Sequence, residues 1–146
     1  MESNSKKEMV NHLSKIVIPV LREKGFKGSI PHFRRFTSER IHLLTFQFDK
    51  YGGGFVIEIA NSLPGGHITS WGTKVEPNKL TAHDLSNRKR IQANMSTPGN
   101  SGKDDWFRYD KATVSDSHNV YNDVCEDILS KLEIADDYWK NGPLGN

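Results

Sequence analysis

Five arginines and two tryptophans are the residues of this chain whose side chains most directly suggest recognition chemistry. Guanidinium groups neutralise phosphate charge and indole rings stack on bases, so cations interleaved with aromatic rings suit single-stranded nucleic acid. The candidate binding residues are Arg34, Arg35, Arg88, Arg90, Trp71, Trp106 and Arg108. Arg34 and Arg35 are adjacent, so they point to opposite faces if their segment is a strand. The competing and commoner arrangement is a solvated arginine face with buried tryptophans.

The six histidines lack the spacing of a metal site. A structural or catalytic zinc ion needs three or four ligands at recognisable intervals. No pair is arranged as His-x-x-x-His or His-Glu-x-x-His, and His83-Asp84 is a weak signal alone. His32 and His42 fall on neighbouring predicted strands, where they could approach each other. We predict no metal site and no cofactor.

Catalytic arrangements are equally weak. Cys125 is the only cysteine, and its place in an apolar helical stripe predicts a buried, unreactive thiol. Asp104, Asp105 and Asp110 could supply paired carboxylates for acid–base work, but Asp105 could equally fasten its own segment by hydrogen bonds. The glycines 52–54 precede a strand and lack the lysine of a phosphate loop, which favours a hairpin turn. We predict no catalytic residues.

Three β-strands are predicted over Ile30–Phe36, Ile41–Asp49 and Phe55–Asn61, and the first of them carries Arg34 and Arg35. Period-two alternation gives the second and third strands one strongly apolar face. Its members are Leu44, Phe46, Phe48, Phe55, Ile57 and Ile59. The other face is mixed in polarity. We expect helices to cover the first face and the second to remain free for a partner.

The sequence after the third strand contains weaker signals for further strands and a short helix. His67–Thr73 is predicted as a further short strand carrying Trp71, and Trp106–Tyr109 as an edge strand. Thr81 is a candidate cap for a short helix that reaches Leu85 and could extend to Ile91.

An amphipathic helix is predicted over Lys6–Lys24, since its apolar residues recur every three or four positions. Ser5 and Glu8 match a capping box at its start, and Gly25 suits a left-handed C-cap at its end. Pro19 removes one helical hydrogen bond, so we expect a kink or an early end near Ile18.

A last helix should begin near Ser117, with Asp116 or Ser117 as cap, and end at Gly142-Pro143. Residues 95–104 form a polar, glycine-rich segment that predicts an exposed loop. The whole chain is predicted to be a single α+β domain over residues 1–146, with flexible ends at 1–4 and 142–146. In it, an antiparallel sheet of three to five strands is packed on one face by the N- and C-terminal helices.

Composition sets broad limits on function. The chain has 146 residues, 20 basic against 18 acidic side chains and a formal net charge of +2, so charge alone predicts no polyanion binding. The N-terminus has no apolar run after its charges, and no stretch approaches the length of a membrane span. We therefore expect a cytoplasmic protein without membrane contact.

Four motifs together resemble a bacterial family of uncharacterised domains, domain of unknown function 4304. They are Leu21-Arg-Glu-Lys-Gly-Phe-Lys27, Phe33-Arg-Arg-Phe36, Leu44-Thr-Phe-Gln-Phe48 and Asp105-Trp-Phe107. Asn87-Arg-Lys-Arg-Ile91 would stand for the family's arginine-rich segment. The resemblance spans roughly residues 10–140. It implies an α+β domain and brings no catalytic residues with it.

These observations favour a non-catalytic module that binds a protein partner, with immunity proteins as one class of such domains by analogy. The runner-up is a nucleic-acid-binding protein that uses the arginine and aromatic residues. The third alternative is an enzyme or small-ligand binder with a pocket between the sheet and the C-terminal helix.

Overall fold

An antiparallel sheet lies at the centre of the computed structural model. The structure describes residues 2–69, 71–95, 105–110 and 120–144, and for residues 2–5 it describes the backbone alone. The strands of the sheet are β1 (Lys27–Ser29), β2 (His32–Phe36), β3 (Ile41–Phe48), β4 (Gly54–Ser62), β7 (Lys89–Ile91) and β8 (Phe107–Arg108). They run in the spatial order β1-β2-β3-β4-β7, and β8 also pairs with β4. A separate two-stranded hairpin contains β5 (His67–Ile68) and β6 (Lys74–Val75). The predicted α+β class is confirmed, with six strands in the main sheet instead of three to five.

The predicted apolar face of the sheet packs against the helices. Leu44 pairs with Ile59, Phe46 with Ile57 and Phe48 with Phe55, so these side chains share one face. Together with helical residues such as Leu13 and Leu21 they form the main buried cluster, and Phe48 packs partly buried against it. This part of the sequence prediction is confirmed.

The N-terminal helix is longer than predicted and irregular in its middle. Its parts are α1 (Glu2–His12), a π-helical turn (Leu13–Val17) and α2 (Ile18–Glu23). The backbone helix runs through Ser5, so Ser5 does not cap it. Pro19 lies in the first turn of α2, and the wide π-helical turn precedes it because proline has no N–H to donate.

The end of this helix follows the prediction closely. Gly25 has a φ of 101°, Phe26 N donates to Leu21 O (3.0 Å) and Gly25 N donates to Arg22 O (3.0 Å). These two hydrogen bonds form a Schellman cap. Phe26 is consequently turned back into the core, where it is 1% exposed.

The C-terminal helix α3 covers Val120–Asn141 and ends before Gly142. Its predicted start near Ser117, with its cap, lies outside the described residues. The fully buried Trp139 donates from Nε1 to Leu43 O (3.1 Å) and lies against Phe26, with ring centroids 4.6 Å apart. These contacts fasten the end of α3 to both the sheet and the N-terminal helix.

The second face of the sheet is covered, so the expectation that it stays free is wrong. Leu43 and Ala60 on this face are fully buried. The connection between β4 and β7 lies over them, and its apolar side chains, Leu80, Ala82 and Leu85, form a second buried cluster with them. These three residues have no helical or strand periodicity, which is why the sequence pattern did not predict the cover.

Two further segments differ from the prediction. Residues 67–73 are not one strand, because β5 and β6 form a hairpin with Trp71 in its turn. The predicted helix after Thr81 is a single 3₁₀ turn, Ala82–Asp84, and its possible extension to Ile91 is instead occupied by β7. The predicted loop over residues 95–104 lies outside the described residues except for Met95. No helix in the described ranges is long and apolar enough to cross a membrane.

Candidate functional site: a cleft beneath an exposed tryptophan

A cleft of about 580 Å³ opens between the β5–β6 hairpin and the 3₁₀ turn, and we call it the hairpin cleft. It is lined by His67, Ile68, Thr69, Trp71, His83, Asp84, Leu85, Ser86 and Arg88. Two large apolar side chains of its lining are exposed to solvent: Trp71 is 78% exposed and Ile68 is 64% exposed. Adjacent exposed apolar groups beside a cleft are typical of an interaction surface, whereas single ones are common on any protein.

The hairpin turn holds Trp71 in place through backbone hydrogen bonds. Thr69 N donates to Thr73 O (2.8 Å), and Gly72 N donates to Thr69 O (2.9 Å). The Thr69 hydroxyl oxygen also accepts a hydrogen bond from Thr73 N (3.0 Å). Gly72 has a φ of 91°, which glycine adopts without strain. The tryptophan is therefore presented by a closed, hydrogen-bonded turn.

The polar groups of the hairpin cleft are fixed by neighbours in the same chain. Asp84 accepts hydrogen bonds from Thr81 N (2.8 Å) and from the Thr81 hydroxyl (3.3 Å). Arg88 donates to His83 O (3.2 Å) and to Leu85 O (2.8 Å). These bonds orient the Arg88 guanidinium at the cleft, while its side chain remains 35% exposed.

Beside the cleft, a polar row crosses the covered face of the sheet. Thr45 pairs with His32 on one side and Glu58 on the other, and Glu58 pairs with Arg90. Glu58 is buried and accepts from Arg90 Nε (2.8 Å), while Arg88 Nε lies 3.6 Å from its other oxygen. Arg88 and Arg90 thus compensate the charge of the buried Glu58 carboxylate, as the burial of a charge requires.

His32 ends this row in a neutral form. Its Nδ1 lies 3.0 Å from the Thr45 hydroxyl oxygen, and its ring meets the His83 ring edge-on at 6.3 Å. Burial lowers the pKa of His32, and the charges of His83 and Arg34 lower it further. Asp84 acts in the opposite direction. An uncharged imidazole therefore lies behind His83.

The structure divides the seven candidate residues into groups. Trp71 and Arg88 meet at the hairpin cleft, and the Arg90 guanidinium lies 5.6 Å from the Trp106 ring centre. Arg108 pairs with Asp110 at 2.7 Å. Trp106 is 7% exposed, so of the two predicted tryptophans only Trp71 is available to a ligand.

Arg34 and Arg35 lie on opposite faces of β2. Arg34 Nε donates to Leu80 O (2.5 Å) and so ties the covering segment to the sheet. Arg35 lies on the helix side, where its Nε donates to His42 Nδ1 (2.9 Å) and its Nη1 to Lys24 O (3.0 Å). The seven residues therefore do not form one surface.

Ile68 carries no sequence signal for a site, and His83-Asp84 is only a weak one. A signal for the hairpin is present in the sequence. Gly65 and Gly66 precede one short segment with β-forming residues, and Gly72 separates that segment from a second one. Such short segments are easily interpreted as one strand. The cleft itself depends on a contact between distant segments.

The other chemical candidates occupy structural positions. His32 and His42 do not approach each other, because β2 and β3 pair His32 with Thr45 and Arg35 with His42. Within the described residues no group of three His, Cys, Asp or Glu side chains is placed to hold a metal ion. Cys125 is buried, and burial and the charge of Glu126 raise its pKa to about 11.

Asp105 fastens its own segment. Its carboxylate accepts from Asn94 Nδ2 (2.8 Å), and its carbonyl oxygen accepts from Asn94 N (3.2 Å). These bonds join the segment that leads into β8 to the end of β7. Asp104, the other half of the predicted carboxylate pair, lies outside the described residues.

The molecule is thus an α+β domain whose sheet is covered on both faces and whose most exposed large apolar side chain, among the described residues, is Trp71 on the β5–β6 hairpin. The family described as domain of unknown function DUF4304 matches residues 17–134. The chain belongs to this family. No curated protein and no solved structure matches it.

Proposed function

We propose that the chain is a non-catalytic binding module that engages another protein through the hairpin cleft. The observation that carries this proposal is the 78% exposure of Trp71 on a hydrogen-bonded hairpin, beside Ile68 and a 580 Å³ cleft. Tryptophan and arginine are the residues that most often dominate the binding energy of protein interfaces.

The chemistry of the cleft defines the segment that would fit it. Trp71 and Ile68 offer exposed apolar surface. Arg88 offers a 35% exposed cation that is oriented by two carbonyl oxygens and lies 3.6 Å from Glu58, a longer contact than the 2.8 Å pair between Glu58 and Arg90. The Asp84 carboxylate accepts from Thr81 through Oδ2 and is held in place there. We infer a partner loop with one large apolar side chain and a neighbouring carboxylate.

Nucleic acid fits this surface less well, because most of the predicted arginines already serve the fold. Arg34 holds Leu80 O, Arg90 is paired with Glu58, and Arg108 is paired with Asp110. A cation already neutralised by a carboxylate displaces few counterions from a phosphate backbone. Arg88 and Trp71 alone would make a small contact.

An enzymatic pocket between the sheet and α3 is also less favoured. The described space between them is filled by buried apolar side chains such as Phe55, Ile128 and Leu132. A catalytic pocket would instead collect titratable groups with shifted pKa values.

The test compares Trp71→Ala with Tyr51→Ala, a matched control because Tyr51 is another aromatic residue with 72% exposure, in a different turn. A photoreactive phenylalanine analogue at position 71 should cross-link to one protein in native cells, and the same analogue at position 51 should not. Against the purified partner, Trp71→Ala should weaken the Kd by about 30-fold or more, while Tyr51→Ala leaves it unchanged.

Two results would overturn this proposal. One is the absence of any cross-link specific to position 71. The other is binding of single-stranded RNA at low salt that weakens steeply with added salt and is lost in Arg88→Ala, which would establish the nucleic-acid alternative.

A further inference from the structure

A second cleft, of about 470 Å³, lies where the β2–β3 turn meets the end of α3, and we call it the helix-end cleft. The turn is closed by Thr37, whose N donates to Arg40 O (3.0 Å) and whose hydroxyl oxygen accepts from Arg40 N (3.0 Å). Arg40 Nη1 reaches α3, where it donates to Trp139 O (3.0 Å) and Gly142 O (2.9 Å). Turn and helix are therefore held rigidly around the cleft.

His42 lines the helix-end cleft although it is only 4% exposed. Its Nδ1 accepts a hydrogen bond from Arg35 Nε (2.9 Å), and a guanidinium can only donate. The proton of the neutral ring is therefore on Nε2. The one hydrogen bond of the ring among the described residues is the one to Arg35, so this N–H has no acceptor there. The site thus contains a ring N–H without an acceptor among the described residues, on a largely buried side chain that lines the open cleft.

Three cations surround this donor. Arg35, Arg40 and Lys140 line the cleft, and Lys140 has no ion-pair or hydrogen-bond partner in the described part of the chain. Burial, which is the largest cause, and the positive charges of these three residues together lower the pKa of His42 to about 4, so all three cations act on the same ring.

Two carboxylates oppose the cations. Asp136 raises the pKa of His42, but it is shared between Lys24 (2.6 Å) and Arg35 (3.7 Å). Glu39 lines the rim and is exposed. Positive charge and an N–H donor therefore remain available in the cleft.

We propose that the helix-end cleft binds a phosphate group, either inorganic phosphate or the head of a small phosphomonoester. A dianion with acceptor oxygens fits a site with several cations and an oriented N–H, since charge-assisted hydrogen bonds are the strong ones. The hydroxyl of Ser38 offers a further donor at the rim. This site lies on the helix side of the sheet and does not depend on the hairpin cleft.

The test is a titration with inorganic phosphate and with glycerol phosphate at constant ionic strength, followed by ¹H–¹⁵N NMR. Saturable shifts should be confined to residues 35–42 and Lys140, with the His42 Nε2–H moving downfield. Lys140→Gln should weaken binding about tenfold, because one of the cations near the dianion is lost. Lys79→Gln, which removes an exposed lysine on the other side of the sheet, is the matched control and should change nothing.

A second variant tests the imidazole donor. Asparagine at position 42 can keep an acceptor for Arg35 while it removes the Nε2–H, so His42→Asn should also weaken binding. Tighter binding of glycerol phosphate than of phosphate would identify a phosphomonoester, and tighter binding of inorganic phosphate would identify free phosphate. Linear shifts without saturation, equal effects of the two lysine variants, or equally tight binding of acetate would each overturn the proposal.

Discussion

His42 should make the protein lose stability in mild acid. Its pKa lies at about 4 instead of 6.5, chiefly because the ring is buried and also because Arg35, Arg40 and Lys140 surround it. Asp136, on α3, is the charged neighbour that acts against them. Below about pH 6.5 the unfolded chain binds a proton that the folded chain refuses, so stability must fall as the pH decreases.

The size of the effect follows from the pKa values. Each pKa unit corresponds to about 1.4 kcal/mol, so the difference between 6.5 and about 4 gives a loss of about 3 kcal/mol. The loss should begin near pH 6.5 and be complete near pH 4, below which both states carry the proton. Such a loss is a large part of the stability of an ordinary domain.

The assay is urea unfolding followed by circular dichroism, at a series of pH values from about 7 to about 4. His42→Asn removes the titrating group, so the stability difference between the natural protein and this variant should shrink by about 3 kcal/mol over that range. The difference cancels the contributions of other titrating groups. NMR of the ring nitrogens gives the pKa of His42 directly, and Lys140→Gln should raise it.

Two outcomes would refute this reasoning. One is a measured pKa of His42 near 6.5. The other is a stability difference between the natural protein and His42→Asn that stays constant with pH. Either would mean that the imidazole is solvated in the native state and that the surrounding cations do not act on it.

Three further predictions concern the rest of the fold. Glu58→Gln should lower the free energy of unfolding by about 2 kcal/mol, measured by urea denaturation, because two arginines lose their buried counterion; an unchanged midpoint would contradict this. Cys125 should not react with a disulfide reagent until the chain unfolds, since its pKa is about 11 and it is buried; rapid labelling of the native protein would be the contrary result. Asp84→Ala should lower the free energy of unfolding by about 1 kcal/mol, because the hydrogen bonds from Thr81 are lost, and this should be seen as a lower Tm. The control, Asp137→Ala on the exposed face of α3, should lower the Tm less.

The sheet centre and the first helix end were predictable because local chemistry determines them. Alternation in Ile41–Phe48 and Gly54–Ser62 identified the helix-facing side, and Gly25 with Phe26 marked the cap. The covered second face was not predictable, since Leu80 and its apolar neighbours reach the sheet through contacts between distant segments.

The candidate site was predicted only in fragments. Trp71 and Arg88 were both proposed as binding residues, but their meeting at one cleft depends on where the hairpin lies. Arg35 was included as a surface cation, and the register of β2 and β3 places it instead beside His42 on the helix side. Sequence spacing gives the face of a strand, whereas the partners of a side chain depend on tertiary packing.

The burial of β4 gives the molecule a marked gradient of local stability. All nine residues from Gly54 to Ser62 are buried, and the strand is paired with β3 on one side and with β7 and β8 on the other. Its amide protons should therefore exchange with solvent only when the whole domain opens. The β5–β6 hairpin has two short strands and belongs to a separate sheet, so it can open locally at far lower cost. A ligand that orders the hairpin would slow exchange there without altering the protection of β4, and exchange rates could thus map contact at Trp71 independently of global unfolding.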